Sequence, residues 1–301
     1  MNTVSTDPRR DSLNVSRSRS IRSPAPRLDQ VEEPRPHDLG DGMIHSRMRG
    51  IIRLLLYLGL TVGLMPLQAA AVALGWSLAE RLPRFYHRLC VRIMGFNVVV
   101  RGQRLREPPV LFVCNHISYL DITVLGAVIP GCFVAKAEVS GWPLFGLLAK
   151  LQRSVFIRRA RVDVARHGNE LAERMAAGDN LILFPEGTSS DGTRVLPFRS
   201  GLLAAAETSV GSGRVKVQPV SIAYTQLNGV PLGRGARPFF AWYGDMELAP
   251  HLWTAAALGR LTVVVEFHPP TTLDDAGTRK ELAKISHDYV AAGLARANAG
   301  R

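Results

Sequence analysis

The sequence predicts a layered α/β domain preceded by a membrane-embedded helical hairpin. From about residue 94 onward, short apolar runs alternate with segments of helical period. Residues 54–79 carry no charged side chain. Residues 1–48 are rich in Arg, Ser, Pro and Asp and poor in aromatics. The divisions that follow are a disordered basic tail over 1–48, a membrane-associated hairpin over 49–84 and an α/β domain over 85–300.

A chain of 301 residues is long enough for one large domain with appendages. Its net charge of +12 and isoelectric point near 10.3 favour an anionic partner, whether nucleic acid, an acidic membrane surface or a phosphorylated substrate. Most basic residues are arginines, which suit bidentate phosphate contacts, although coding bias accounts for them equally well. Cys90, Cys114 and Cys132 fit no zinc or disulfide spacing, which argues for a reducing compartment and against a metal centre.

In the tail, Ser16 to Arg22 alternates serine with arginine and could contact nucleic acid or anionic lipid. The tail has no stacked aromatics and no recognisable nucleic-acid module, so nucleic acid is not expected as the partner. The uncharged stretch 54–79 is long enough to span a bilayer. Pro66, near its middle, should break a helix there. Arg47, Arg49 and Arg53 precede it and Arg81, Arg84 and Arg88 follow, so both flanks prefer the cytoplasm. A hairpin with two arms of about 18 Å satisfies that, and a single crossing does not.

Strands are expected over residues 95–101, 109–114, 131–135, 154–158, 180–184, 216–224, 237–243 and 261–267. Pro219 should demote the sixth of these to an edge strand or a bulge. Helices are expected over 162–177, with Val164, Gly168, Leu171 and Met175 on one face, and over 277–297, with Leu282, Ile285 and Tyr289 on one face.

Four segments could carry chemistry. The apolar strand from Val110 ends in Asn115 and His116, with Asp121 five positions beyond His116. Strand ends of this kind build sites in open α/β sheets. His116 in the turn and Asp121 in the first helical turn could pair as a base and its orienting carboxylate, although Asn115 and His116 could equally cap the helix. The run from Ser154 ends in Arg158 and Arg159, which could hold a phosphate. The run from Leu181 enters Pro185, Glu186, Gly187 and Thr188, then a Gly/Ser/Thr-rich loop with Arg194 and Arg199 nearby. Gly187 permits close backbone approach to a ligand, and Thr188 could donate to an anion. The segment around Pro219 and Val220 could wall an apolar pocket.

Taken together, these segments resemble the glycerolipid acyltransferases, the family of PlsC-type 1-acylglycerol-3-phosphate acyltransferases. Asn115, His116 and Asp121 match the family's Asn-His-x4-Asp motif in full. Phe156, Ile157 and Arg159 match its second motif, with Arg153 where glycine is usual. Phe184, Pro185, Glu186, Gly187 and Thr188 match the third, with Ser189 in place of the usual arginine. Pro219 and Val220 match the fourth. Lys136 looks like a family basic residue near the head-group pocket.

The resemblance implies a mixed, largely parallel sheet flanked by helices on a membrane-embedded helical motif, at the cytoplasmic face of the inner membrane. It implies acyl transfer from acyl-CoA or acyl carrier protein to a lysolipid hydroxyl, without cofactor or metal. His116 would be the base and Asp121 its partner, with Asn115, Lys136, Arg159, Glu186, Gly187, Thr188 and Arg194 around the acceptor. A covalent route through Cys114 or Ser118 is the lesser alternative, and no Gly-x-Ser-x-Gly elbow supports a hydrolase. The basic residues favour lysophosphatidate as acceptor. Lyso-ornithine lipid comes second, because some bacterial relatives with a similar Glu-Gly-Thr-Ser-Ser loop act on it. A non-enzymatic basic protein binding membrane or nucleic acid is the alternative of another class.

Overall fold

The computed structural model describes residues 45–157, 164–210 and 213–301. The expectations for residues 1–44 and for Arg158 and Arg159 lie outside these. In chain order the elements begin with α1 (Arg47–Ala73), α2 (Leu78–Ile93), β1 (Phe96–Arg101), β2 (Val110–Cys114) and α3 (Leu120–Val128). Next come β3 (Cys132–Lys136), α4 (Phe145–Leu151), β4 (Val155–Ile157), α5 (Val164–Ala176) and β5 (Leu181–Leu183). Then follow β6 (Ser209–Val210), β7 (Gly213–Arg214), β8 (Lys216–Leu227), β9 (Val230–Pro231) and α6 (Leu248–Ala257). The chain closes with β10 (Leu261–Phe267), α7 (Leu273–Ala276) and α8 (Arg279–Asn298).

The main sheet runs β1-β10-β8-β2-β5-β3-β4, with β9 pairing β8. The run β8-β2-β5-β3-β4 is parallel, and β10 is antiparallel to β8. It is therefore a mixed, largely parallel sheet. β2 is buried on both faces: Val110, Phe112 and Cys114 join one apolar cluster, Leu111 and Val113 the other. That explains why β2 reads as an unbroken apolar run rather than an alternating one.

β8 is not an edge. It lies between β2 and β10 with Pro219 inside it. The His268 N–H donates to the Pro219 carbonyl at 3.0 Å, but Pro219 has no N–H to return. The side chain of the preceding residue supplies the missing donor: Gln218 Nε2 donates to the His268 carbonyl at 3.0 Å. The same amide donates to the Gln103 carbonyl at 2.8 Å, and its Oε1 accepts from Leu105 N at 2.9 Å.

The N-terminal helices also depart from expectation. α1 passes unbroken through Pro66 for 27 residues, about 40 Å at 1.5 Å per residue. The stop is Gly75, left-handed at φ +64, where Trp76 N–H returns to the Ala71 carbonyl. α1 is long and apolar enough to cross a membrane, yet it is tied to the domain at two places. Near its start, Gly50 sits against Trp253 and Ala257, and Arg53 donates to the carbonyls of Ala256 and Leu258. Further along, Gln68 donates to Ala79 and Leu151 carbonyls. Arg53, read above as a topogenic charge, thus holds the C-terminus of α6.

Two smaller expectations fail. Residues 237–243 form no strand; a 3-10 turn covers Arg234–Phe239, and Pro238 within it has no N–H to give a ladder. On α8 the inward stripe is Leu282, Ser286, Val290, Gly293 and Leu294, whereas Tyr289 is exposed. At 293 only glycine fits without a shift, since a Cβ there would lie 2.3 Å from Ser221 Oγ.

Gln218→Leu keeps the volume and strands three backbone groups, so unfolding in urea should show a loss of about 2–4 kcal/mol.

Candidate active site

The parallel strands end at one edge of the sheet, and the turn after β2 carries His116 there. Its Nδ1 lies 2.8 Å from Asp121 Oδ2. Asp121 sits in the first turn of α3 and is fully buried. Oδ2 also accepts from the backbone N–H of Ile117 at 2.7 Å and Ser118 at 3.0 Å. Oδ1 accepts from the Tyr224 hydroxyl at 2.5 Å. With a proton on Nδ1 donated to Asp121, Nε2 keeps its lone pair and can act as a base. His116 retains 22% side-chain exposure, so a substrate can reach it.

The imidazole is held flat. It stacks on Phe184, ring centres 4.1 Å apart and 18° between planes, and Phe184 stacks in turn on Phe133. Glu186 fixes the backbone beneath. Its Oε1 accepts from His116 N at 2.7 Å and its Oε2 from Leu196 N at 2.8 Å. Ser190 N–H donates to the His116 carbonyl at 2.9 Å, closing the loop after β5 onto the same turn. Gly187 takes the left-handed conformation, φ +71, that turns the chain there. Asn115 exchanges hydrogen bonds with the Ile222 backbone at 3.0 and 2.9 Å, clamping the turn to β8 beyond the end of β2.

Two residues expected around the acceptor therefore do something else. Asn115 and Glu186 are buried, and their polar atoms bond the backbone of this protein. Lys136, at the C-terminal end of β3, and Arg194, in the loop after β5, are exposed, as is Thr188; Gly187 is half-buried. Arg159 lies outside the described residues. Cys114 is buried behind the turn, and burial raises its thiol well above the usual range, which disfavours a thiolate.

Residues 97–223 match the family described as Acyltransferase. A lyso-ornithine lipid O-acyltransferase from Brucella abortus is 43% identical over 84% of this chain and 98% of its own. The chain belongs to the acyltransferase family. A 1-acyl-sn-glycerol-3-phosphate acyltransferase from Neisseria gonorrhoeae is 35% identical over 55% of this chain and 62% of its own. The fold is that of the crystal structure of PlsC from Thermotoga maritima, with TM-score 0.57 and 22% identity over 83% of this chain and 97% of that one.

In this acyltransferase the sequence reading missed Tyr224 and Phe184 as site residues. Tyr224 shares the core-facing side of β8 with Val220 and Ile222, and a lone hydroxyl in such a row calls for a buried partner. Tyr224→Phe keeps the ring and removes the hydroxyl that donates to Asp121 and also meets the Ser118 side chain. It should lower kcat about tenfold with KM unchanged in steady-state acyl transfer, given about 1.5 kcal/mol for a bond to a charged group.

Burial raises the Glu186 carboxyl from 4.5 to about 7, against the opposing effect of its two backbone bonds. Between those values the folded chain keeps a proton that the unfolded chain has lost, so this group's contribution to stability falls as pH rises and levels off above about 7. Glu186→Gln cannot titrate. The difference in Tm between wild type and this variant should therefore shrink as pH rises through that window; a constant or widening gap would contradict the assignment.

Proposed function

We propose that this acyltransferase moves an acyl group from a thioester of coenzyme A or acyl carrier protein to the free hydroxyl of lyso-ornithine lipid. His116 Nε2 takes the hydroxyl proton while Asp121 holds Nδ1–H and stabilises the imidazolium. The alkoxide attacks the thioester carbonyl. The tetrahedral intermediate then expels the thiolate, which recovers the proton from His116. An ester and a free thiol result, and no bond to the protein forms.

The observation that carries the choice of acceptor is the loop Glu186, Gly187, Thr188, Ser189, Ser190. Ser189 stands where a phosphate-binding relative would offer arginine. An ornithine head carries a carboxylate and an ammonium in place of the phosphate, and hydroxyls suit the carboxylate. The likeness to the Brucella abortus enzyme along nearly its whole length supports the same choice. Lysophosphatidate, placed first above, becomes the second reading. It is favoured by the exposed basic side chains of Lys136 and Arg194 at the same edge of the sheet.

The membrane that supplies the acceptor meets the apolar surface of α1. Ile52, Leu55, Leu56, Leu58 and Val62 are exposed there, and Trp142, Leu144, Phe145 and Leu147 are exposed around α4, which packs against α1. The ties at Arg53 and Gln68 lie 15 residues apart, about 22 Å of helix, so α1 lies along the domain instead of projecting from it. This supports a helix that dips into one leaflet; the basic flanks of the apolar stretch favour the cytoplasmic face of the inner membrane.

Purified enzyme assayed with both acceptors and an acyl carrier protein thioester should acylate lyso-ornithine lipid with the higher kcat/KM; preference for lysophosphatidate would reverse the assignment. His116→Ala should lose about 10²–10⁴-fold in either assay, the range of general-base help.

A further inference from the structure

Away from His116, a groove of about 370 Å³ opens between α2, β1 and the end of α3. Its floor is apolar, with Val91, Val98, Val100 and Val128. Around it stand four arginines: Arg84, Arg88 and Arg92 at helical spacing on α2, and Arg104 after β1. Among the described residues none of the four is ion-paired with a carboxylate. Arg84 and Arg88 each donate Nε to the Ala127 carbonyl, at 3.4 and 3.3 Å, which aims both along the end of α3. Each such bond takes one of the five guanidinium N–H donors. Burial, together with the neighbouring Arg88 and Arg104, lowers the pKa of Arg84, so these cations repel one another and an anion would relieve them.

We infer that this groove is a binding site for an anionic phospholipid of the bilayer, the phosphate on the arginines and the first carbons of the chains on the valine floor. The site is distinct from the acceptor site: Asp121 lies in the first turn of α3, and Ala127 and Val128 end the helix about 9 and 10 Å further along its axis. The apolar floor selects an amphiphile over a free phosphate, which would leave the valines wet. A groove this size admits a headgroup, whereas a docked protein helix needs a far larger surface. α2 packs directly against α1, whose exposed apolar face must meet lipid, so its arginines lie within reach of the headgroup layer. The inference rests on the membrane reading of α1 but not on the identity of the acceptor.

The test is flotation of the full chain with vesicles of phosphatidylcholine, alone or mixed with phosphatidylglycerol. Arg88 and Arg92 are both exposed, so Arg88→Gln/Arg92→Gln should leave the fold intact. Arg234→Gln/Arg260→Gln removes the same charge from exposed arginines outside the groove. All three proteins should bind phosphatidylcholine alike. The groove variant should lose roughly twentyfold or more of the affinity added by phosphatidylglycerol, at about fivefold per arginine, while the control keeps it. Acyl transfer in detergent micelles should be unchanged in both variants.

Equal losses in the two variants would reduce the effect to general charge and overturn the site. So would unchanged binding by the groove variant, or displacement of the vesicles by glycerol 3-phosphate or by an acidic carrier protein. Failure of the wild type to bind either vesicle would overturn it together with the membrane reading of α1. Loss of acceptor activity in micelles with vesicle binding intact would count against the proposed reaction alone.

Discussion

The site depends on one buried carboxylate. Asp121 is wholly inaccessible, yet four donors converge on it: a ring nitrogen, two amides of its own turn, and the Tyr224 hydroxyl from β8. A buried carboxylate without such partners would cost several kcal/mol. The arrangement removes that penalty and fixes three things together: the tautomer of His116, the path of the turn from β2 into α3, and the spacing between α3 and β8. Two of the donors are backbone amides of the turn leading into α3, and Asp121 itself lies in the first turn of that helix, where the helix dipole also favours a negative charge.

Convergence of this kind needs β8 to run past the end of β2, because Ile222 and Tyr224 lie beyond the last ladder pair at Val220. β8 can do so only if its middle is sound, and Pro219 sits there. The Gln218 amide is what lets a proline stand between two paired strands, by giving the His268 carbonyl the donor that the ring lacks. A polar side chain far from any substrate thus underlies the position of the hydroxyl that reaches Asp121.

Much of this was legible in the sequence, and what was not has physical reasons. β2 and β5 stand out because every residue in them is buried, and β10 because five of its seven are, so their apolar runs need no knowledge of neighbours. The pairing of His116 with Asp121 follows from local geometry over five residues. Both prolines misled. Gln218 supplies the donor that Pro219 lacks, whereas α1 simply continues through Pro66 to the left-handed Gly75. Tyr224, Phe184 and the role of Glu186 depend on contacts across about 70 to 100 positions of chain, which no periodicity reports. Tyr289 looked like a core residue on spacing alone, but it borders the buried stripe of α8, stacking on His268 while remaining exposed.

The proposed choice of acceptor rests on a loop tied to the catalytic turn. Glu186 divides the loop after β5 into two parts. Its two oxygens hold His116 and Leu196, so residues 187–195 form a closed excursion whose ends are pinned. Ser190 ties the base of that excursion to the His116 carbonyl and to Arg194. Thr188 is exposed and Ser189 half-buried, and on the proposed reading a change there would alter what meets the head group without shifting Nε2. An arginine at 189 would bring a charge matched to phosphate, and a serine brings a hydroxyl that an amino-acid head can satisfy. On the proposed reading, selectivity for the acceptor would be separated from the chemistry on its hydroxyl. A switch between phosphate and ornithine head groups would then need side-chain changes in a pinned loop and no change in the fold.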